Sequence, residues 1–430
     1  EQSVIDMTGD NKAFSTLSVE TLTGNGGTII MDIDGSQVDA SDKIYVTGDF
    51  SGSQTLSLKE INGLDSDPGI GQAAENTVLA SVNGSGTFTA DDQEGTLYWQ
   101  RYELGQKDSA ASGYTTDWYL KGITNLNLPT TSVEAIAASG ALAYHTWRDH
   151  DQLLQRLGDL RQHGREEEGV WVRVKGGKLS RSDQFEFENK YTQYELGYDQ
   201  KLKSTPAYTR YAGISFSYLD GDSSYSSGSG ENKVKALNIY GTQIGAKGHY
   251  LDLVLKYSQL DNDFKVFDTS GNKITGDYDQ NGLSISAEYG RKNNLKNNWY
   301  IEPQAQLIIG RLGSSSYTTD RGNNVYMGGV NSCIGRLGVV AGKKDASGND
   351  VYLKVNMLHE FGGNRDVRML AGNGETLSES HDYGDTWFEL GLGGNIKLGN
   401  SSHLYGDIER SFGADIQKKW QVNAGVRFEF

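Results

Sequence analysis

From about residue 169 to the last residue, apolar side chains return at every second position in stretches of ten or so. In the last stretch Trp420, Val422, Ala424, Val426, Phe428 and Phe430 alternate with Gln421, Asn423, Gly425, Arg427 and Glu429. The same alternation places Leu283, Ile285, Ala287 and Tyr289 on one face, Leu251, Leu253, Leu255 and Tyr257 on another, and Ile214, Phe216 and Tyr218 on a third. Side chains on a strand point alternately to its two sides, so each stretch predicts a strand that is greasy on one side and wet on the other. Twelve are predicted, at about 169–178, 190–200, 209–219, 234–246, 249–260, 280–291, 297–310, 331–343, 350–361, 385–398, 402–411 and 418–430.

A soluble sandwich shares the local pattern but not its length or its connections. Soluble strands typically run about 5–6 residues, and membrane strands about 9–11. The connections sort by parity. Those after odd strands are long (179–189, 220–233, 261–279, 311–330 and 362–384), with 412–417 the short exception. Those after even strands are short: 201–208, 247–248, 292–296, 344–349 and 399–401. An even strand count with short turns at one end predicts a transmembrane β-barrel of the outer-membrane kind. Trp171, Tyr191, Tyr218, Tyr257, Trp299, Trp387 and Trp420, at strand ends, fit aromatic girdles. Pro303 interrupts one strand, and its missing N–H predicts a bulge or a locally unpaired rung.

With the greasy face toward lipid, the other face lines a lumen. It carries Arg173, Lys175, Asp252, Lys256, Glu288, Glu302, Gln304, Arg336, Glu389, Asp407, Glu409, Arg427 and Glu429. Charge of both signs predicts a hydrated interior, neither a dry core nor a single-sign ion selector. One long helix is predicted just upstream, over about 131–162. Pro129 precedes it, and Thr131 with Glu134 has capping-box spacing. Its first half is narrow, with Ala135, Ala138 and Leu142, and its second half carries Arg148, Asp149, Asp151, Arg156, Asp159 and Arg161. That suits a rod threaded through a confined polar channel, although a surface helix joining two domains has the same periodicity. If the long loops are external, strand one starts at the periplasmic end. The helix, joined to it through the charged link HGREEEG, then has to cross inside the barrel and leave residues 1–130 outside the cell.

The N-terminal part reads differently. Short strands (LSVETL, GTIIMDI, DKIYVTGDF, QTLSLKEI, NTVLASV, GTFTA, TLYWQRYEL, DWYLKGI) are separated by Gly, Asp and Asn, which predicts a β-solenoid whose last rungs cap it. A small sandwich of 44–61 with 96–104 is the alternative. Charge divides the chain at the same place: 19 acidic and 6 basic side chains in residues 1–130, against 37 and 34 in the remainder. A net charge of −16 argues against nucleic-acid binding, and 1 Cys excludes an internal disulfide framework. The 55 Gly and 24 Tyr against 4 Pro agree with many paired strands.

Catalytic motifs do not emerge. There is no G-x-x-x-x-G-K-[ST], H-E-x-x-H or G-x-S-x-G run. His145 and His150, five apart, do not share a helix face as a metal pair would, and His359–Glu360 at a strand end reads as structural. Asp32-Ile33-Asp34-Gly35 lacks the later ligands of a calcium loop and reads as a turn, and Cys333 reads as a wall residue. We therefore expect no catalytic, metal or cofactor site.

The order of motifs resembles the classical monomeric autotransporters of type V secretion in Gram-negative bacteria, over essentially the whole chain. LSVETLTGNGG, SDKIYVTGDFSGSQTLSL, GTLYWQRYELG and DWYL resemble the pertactin-like end of a passenger, the autochaperone segment. WYIEPQAQL, GRLGVVAG, DVYLKVNMLHEF, DTWFELGLGGNIKL, LYGDIERSFG and the terminal VNAGVRFEF resemble the last strands of the translocator. The resemblance implies a 12-stranded antiparallel barrel with an α-helix in its lumen. It divides the chain into a passenger segment (1–126), a linker with the helix (127–165) and the barrel (166–430). It further implies an outer-membrane monomer that displays residues 1–126 at the cell surface, with lipid, periplasmic chaperones, the barrel-assembly machinery and its own upstream passenger as partners. Trp420, Val422, Val426, Phe428 and Phe430 would be the assembly signal. An outer-membrane barrel enzyme, a protease or lipase using loops 261–279 and 362–384, is the alternative, but a lumen helix would obstruct it. A soluble protein of two β domains is a third reading. Some members of the family cut their own helix at an Asn, and 131–161 contains none; Asp149, Asp151 and Asp159 read as solvated helix charges. The expected outcome is a full-length chain in purified membranes, and mass spectrometry showing separation near 131–161 would contradict it.

Overall fold

The computed structural model describes residues 3–9, 13–61, 69–158, 168–183, 185–399 and 401–430. Twelve strands close a barrel: β1 (Glu168–Arg181), β2 (Phe187–Ser204), β3 (Tyr208–Tyr225), β4 (Gly228–Gly245), β5 (His249–Phe267), β6 (Lys273–Arg291), β7 (Trp299–Leu312), β8 (Val330–Lys344), β9 (Asp350–Glu360), β10 (Thr386–Lys397), β11 (Ser402–Phe412) and β12 (Ile416–Glu429). All neighbours are antiparallel, and β12 pairs with β1 to complete the ring. Phe430 and Glu168 exchange two backbone hydrogen bonds, of 3.0 and 3.2 Å, at the foot of that seam. Closure leaves no unpaired edge in the lipid, where an unsatisfied peptide group is costly.

The predicted strands all form, and several reach further than the alternation suggests. β2 to β6 run 18 or 19 residues, well beyond what a bilayer requires. On their outward face the apolar positions give way to charge: Ile214 and Phe216 lead up to Asp220 and Asp222, and Leu253 and Leu255 lead up to Asp261 and Asp263. The expected loops 220–233 and 261–279 are therefore mostly strand standing above the membrane. The loops 311–330 and 362–384 hold a separate four-stranded sheet (Ser315–Thr318, Asn324–Met327, Asn364–Leu370, Thr376–Asp382). Its Val325, Met327, Val367, Met369 and Leu377 turn into the barrel.

Three of the expected girdle aromatics face inward instead. Trp171, Tyr191 and Trp387 are buried, because strand parity puts Trp171 with Arg173 and Trp387 with Glu389. Tyr257, Trp299 and Trp420 are exposed on the outer face, and Tyr218 is half-buried there. Pro303 causes no register shift. It faces Val339 on β8, while the β6–β7 ladder lapses between Gly290–Gln304 and Asn293–Ile301, so its missing donor falls at an unpaired rung. Cys333 is a half-buried wall residue with a free thiol.

The upstream residues wind as a parallel solenoid. Val4–Asp6 lies on Thr16–Ile33, which lies on Lys43–Glu60, which in turn pairs with Val78–Gly84 and Thr87–Ala90. Each pair of expected short strands up to residue 60 is thus one bent run. The corner at Gly52 (φ 79°) needs glycine, because a Cβ there would fall 1.9 Å from the Gly24 carbonyl oxygen. Ile29, Met31, Ile44, Val46, Leu56 and Leu58 fill the interior, with Phe50 stacked on Phe88 at 4.4 Å. The sandwich of 44–61 with 96–104 does not form. The hairpin of Tyr98–Asp108 and Thr116–Pro129 closes the end of the solenoid, pairing antiparallel with Val78–Gly84. Burial of Asp117 in this cap works against its charge, but the Ser81 and Ser109 hydroxyls and the Ala110 N–H hold its carboxyl below the usual range.

Inside the barrel two helices follow in line, α1 (Thr131–Arg148) and α2 (Leu153–Leu157). Around α2 stands a collar of inward aromatics, each lying across a glycine of a nearby strand. These pairs are Trp171 on Gly197, Tyr240 on Gly213, Tyr250 on Gly290, Tyr300 on Gly342, Tyr352 on Gly393 and Tyr405 on Gly425. A Cβ at any of these glycines would lie 2.2–2.6 Å from the ring. Gly425→Val should therefore force Tyr405 off its seat, an overpacking cost of about 1–3 kcal/mol. The expected result is a lower temperature of conversion from the fast-migrating folded form to the unfolded form on denaturing gels.

Candidate functional site

The site is the filled lumen. α1 begins at Thr130, an extended N-cap whose hydroxyl donates to Thr96 O at 2.9 Å and makes no cap bond. The expected Thr131–Glu134 capping box does not form, because Glu94 from the solenoid base already accepts the Thr131 N–H. The upper helix is buried on nearly every side, with Ala135, Ala138 and Leu142 all under 4 % exposed. Phe187, Tyr225, Phe264 and Tyr278 from the wall join it in one apolar cluster. The hydrated lumen expected from charge alone is therefore wrong for this level. A rod of Ala and Gly is thin enough for large wall side chains to fill the gap. Gly140 is the narrowest point: Arg365 reaches past it to donate to the Gly140 carbonyl at 3.0 Å.

The lower helix of the expected single rod is broken. Asp149 and Gln152 have extended backbone, and the Gln152 N–H donates to the Gln155 side-chain oxygen at 3.1 Å where α2 starts. In a continuous helix residues two apart point about 200° apart, so Asp149 and Asp151 could not share a partner. Here both reach Lys175, at 2.9 and 3.1 Å. Asp151 also takes Arg173 at 2.6 Å, and Asp149 takes Lys418 at 3.3 Å. The stretch 159–162 and the link 163–167 lie outside the described residues.

The expected lumen residues are brought together around this break. Arg156 donates to both Asp252 oxygens at 2.8 Å and lies 4.3 Å from the centre of the Tyr240 ring. Glu288 takes the Leu153 N–H at 2.9 Å and Arg336 at 3.2 Å. Glu409 receives Lys354 at 2.6 Å and Lys418 at 2.7 Å; Asp407 also binds Lys354, and Glu389 binds Lys418 at 3.3 Å. Arg427 binds Asp199 at 2.5 Å and Glu429 at 3.2 Å, beside the seam. Glu302 pairs with Gln304 at 2.9 Å, away from the helix break. Lys256 is half-buried and donates to Asp149 O at 3.1 Å. Arg148 sits higher, donating to Tyr383 O at 3.3 Å and stacking 4.6 Å from the centre of the Trp387 ring.

Alternation alone passed over several functional partners. Glu195, Asp199, Lys354 and Lys418 occupy inward positions, and the period-two count that found Arg173 would have found Glu195 between Tyr194 and Leu196. Glu360, read from the sequence as structural, anchors the helix by accepting the Tyr144 hydroxyl at 2.6 Å, with Arg148 at 4.0 Å. His150 bonds Ser284 at 2.8 Å and His145 bonds Ala141 O at 2.9 Å, and no metal-holding cluster exists among the described residues. Asp34 caps a turn through the Ser36 N–H at 2.9 Å. Between α1 and α2 a cavity of about 80 Å³ is lined by His150, Lys256, Arg336 and Glu389 among others. Trp420, Val422, Val426, Phe428 and Phe430, expected from the sequence to be an assembly signal, all lie on the outer face of β12 or directly after it.

This geometry makes a pore stoppered by its own chain: the rod enters at the outer mouth, and its last described turn reaches His403 and Tyr405 near the end where β1 starts. Comparison with known proteins agrees. Residues 170–409 match the family model described as the autotransporter beta-domain, and residues 3–122 match the pertactin model. The BrkA autotransporter of Bordetella pertussis is 28% identical over 97% of this chain and 40% of its own length. The pertactin autotransporter of Bordetella parapertussis is 33% identical over 67% of this chain and 32% of its own length. The serine protease SepA autotransporter of Shigella flexneri is 28% identical over 98% of this chain and 30% of its own length. The chain thus spans at most about 40% of these relatives. Among solved structures, the translocator domain of NalP from Neisseria meningitidis has a TM-score of 0.51 at 12% identity, covering 70% of this chain and 100% of that one. The transport unit of AIDA-I from Escherichia coli has 0.51 at 15%, covering 68% and 99%, and both share the fold. The chain belongs to the autotransporter β-domain family, and its barrel is an outer-membrane translocator domain.

Proposed function

We propose that this chain is the C-terminal part of a longer autotransporter. The barrel (166–430) exports a passenger lying upstream and anchors it at the cell surface; the linker (127–165) is the last stretch to pass and remains as the stopper; residues 1–126 are the passenger stub, on which exported material begins to fold. The observation that carries this reading is the path of the chain: solenoid above the mouth, α1 and α2 through the interior, β1 starting at the opposite end. Only a chain that has gone through its own barrel needs that path.

The same reading assigns lumen roles to Ala135, Ala138, Leu142, Arg148, Asp151 and Arg156 on the rod. On the wall it assigns them to Arg173, Lys175, Asp252, Glu288, Glu302, Arg336, Glu389, Asp407, Glu409 and Arg427. Support comes from the pairing of rod charges with wall charges below, and from the packing of Ala135, Ala138 and Leu142 against Phe187, Tyr225, Phe264 and Tyr278 above. The barrel is a monomer in outer-membrane lipid, delivered by periplasmic chaperones to the barrel-assembly machinery, which reads Trp420, Val422, Val426, Phe428 and Phe430. Residues 1–430 carry no enzyme activity in this reading. Some relatives are named serine proteases, and in our reading any such chemistry would lie in the upstream part.

Two outcomes test the assignment. Replacing Phe430, or reversing the alternation at Val422–Val426, should abolish heat-modifiable barrel in outer-membrane fractions; normal surface display by such a variant would overturn the assembly role. Removing the strand around 95–104 should leave the barrel inserted while exported material gains protease resistance more slowly, and loss of the barrel along with it would contradict the division of labour.

A further inference from the structure

Glu94 belongs to the solenoid, in the short strand Gln93–Glu94 at its base, yet its carboxylate is buried at the barrel mouth. One oxygen accepts the first helical N–H of α1, at Thr131. The other accepts the N–H of Thr269 at 2.9 Å, in the turn between β5 and β6. One side chain therefore ties three parts together: the exported stub, the end of the lumen rod and the outer rim of the wall. The chemistry suits the place. The first N–H groups of a helix have no partner within it, and the positive end of the helix dipole favours an anion. Thr130 adds two contacts to the same joint, its hydroxyl to Thr96 O at 2.9 Å and its N–H to Leu97 O at 3.3 Å.

The other fastenings of the rod, at Gly140, Tyr144, Asp149, Asp151 and Arg156, meet partners inside the barrel. Glu94 is different because Thr269 stands at the outer end, so the contact can form only after the solenoid base has emerged. We propose that Glu94 is a positioning residue: it engages last, sets the final depth of α1 and so closes the pore when export is complete. The proposal rests on the translocator reading above and adds to it a residue that ends transport.

The test uses the full chain, purified and reconstituted in planar lipid bilayers, with heat-modifiable gel mobility as the check on folding. Glu94→Ala removes both acceptors; Glu94→Gln keeps the shape but turns one acceptor into a donor facing an N–H. Glu103→Ala, at an exposed carboxylate of the neighbouring hairpin, is the control. We expect wild type and Glu103→Ala to stay closed, and both Glu94 variants to show an open-time fraction raised by roughly tenfold or more, as loss of charge-assisted bonds would give. Folded Glu94 variants as closed as wild type would overturn the proposal. Wild type lacking heat-modifiable mobility would instead sink the translocator reading beneath it.

Discussion

Charge buried inside a membrane has to be paired, and that constraint organises this molecule. The barrel wall keeps lipid on one side, so an unpartnered carboxylate or ammonium on the other would carry a penalty of several kcal/mol. Arg173, Lys175, Lys354, Lys418 and Arg427 on the wall are each met by carboxylates. Two of those carboxylates belong to the rod, where Asp149 and Asp151 answer Lys175, and in the opposite sense the rod's Arg156 answers Asp252 on the wall. The wall and the rod are complementary halves of one ionic network. An empty barrel would need water in place of every rod contact.

The network explains the shape of the rod. Above Arg148 the interior is mostly apolar, and Arg365 and Glu360 bond α1 without breaking it, at the Gly140 carbonyl and the Tyr144 hydroxyl, so the helix stays regular. Below Arg148 the wall presents cations on one side, and two carboxylates must point the same way. The helix gives up four residues of hydrogen bonding to achieve this and restarts at Gln152 with its own cap. Local helical preference yields to charge pairing at that level alone. The aromatic collar then receives Leu153, Leu154 and Leu157, so the lowest turn is held by packing as well as by the Arg156–Asp252 ion pair.

Much of this was legible in the chain because lipid imposes a strict period of two. Ile214, Phe216, Leu253 and Leu283 had to face outward, and their neighbours Ser215, Asp252 and Ser284 had to face inward. The period disappears where lipid ends. Asp220 to Tyr225 and Asp261 to Phe267 read as loop, although hydrogen bonding carries both as strand. The inward turn of Trp171 and Trp387 could have been read from parity, but aromatic identity outweighed position. The break at Asp149 was not legible, since Leu, Gln and Arg on either side favour helix and the lysine that opposes them lies 26 residues away. The Glu94 contact joins positions 175 residues apart through a backbone N–H, which carries no sequence signal at all.

The collar has a consequence for the segment it grips. α2 is five residues long, and an isolated helix that short does not persist in water, where about 12–15 residues are already marginal. Its coiled shape is thus lent by the surrounding rings. Away from those rings the same five residues would lose the coil, and an extended chain is narrower than the helix that Tyr240 and Tyr405 now enclose.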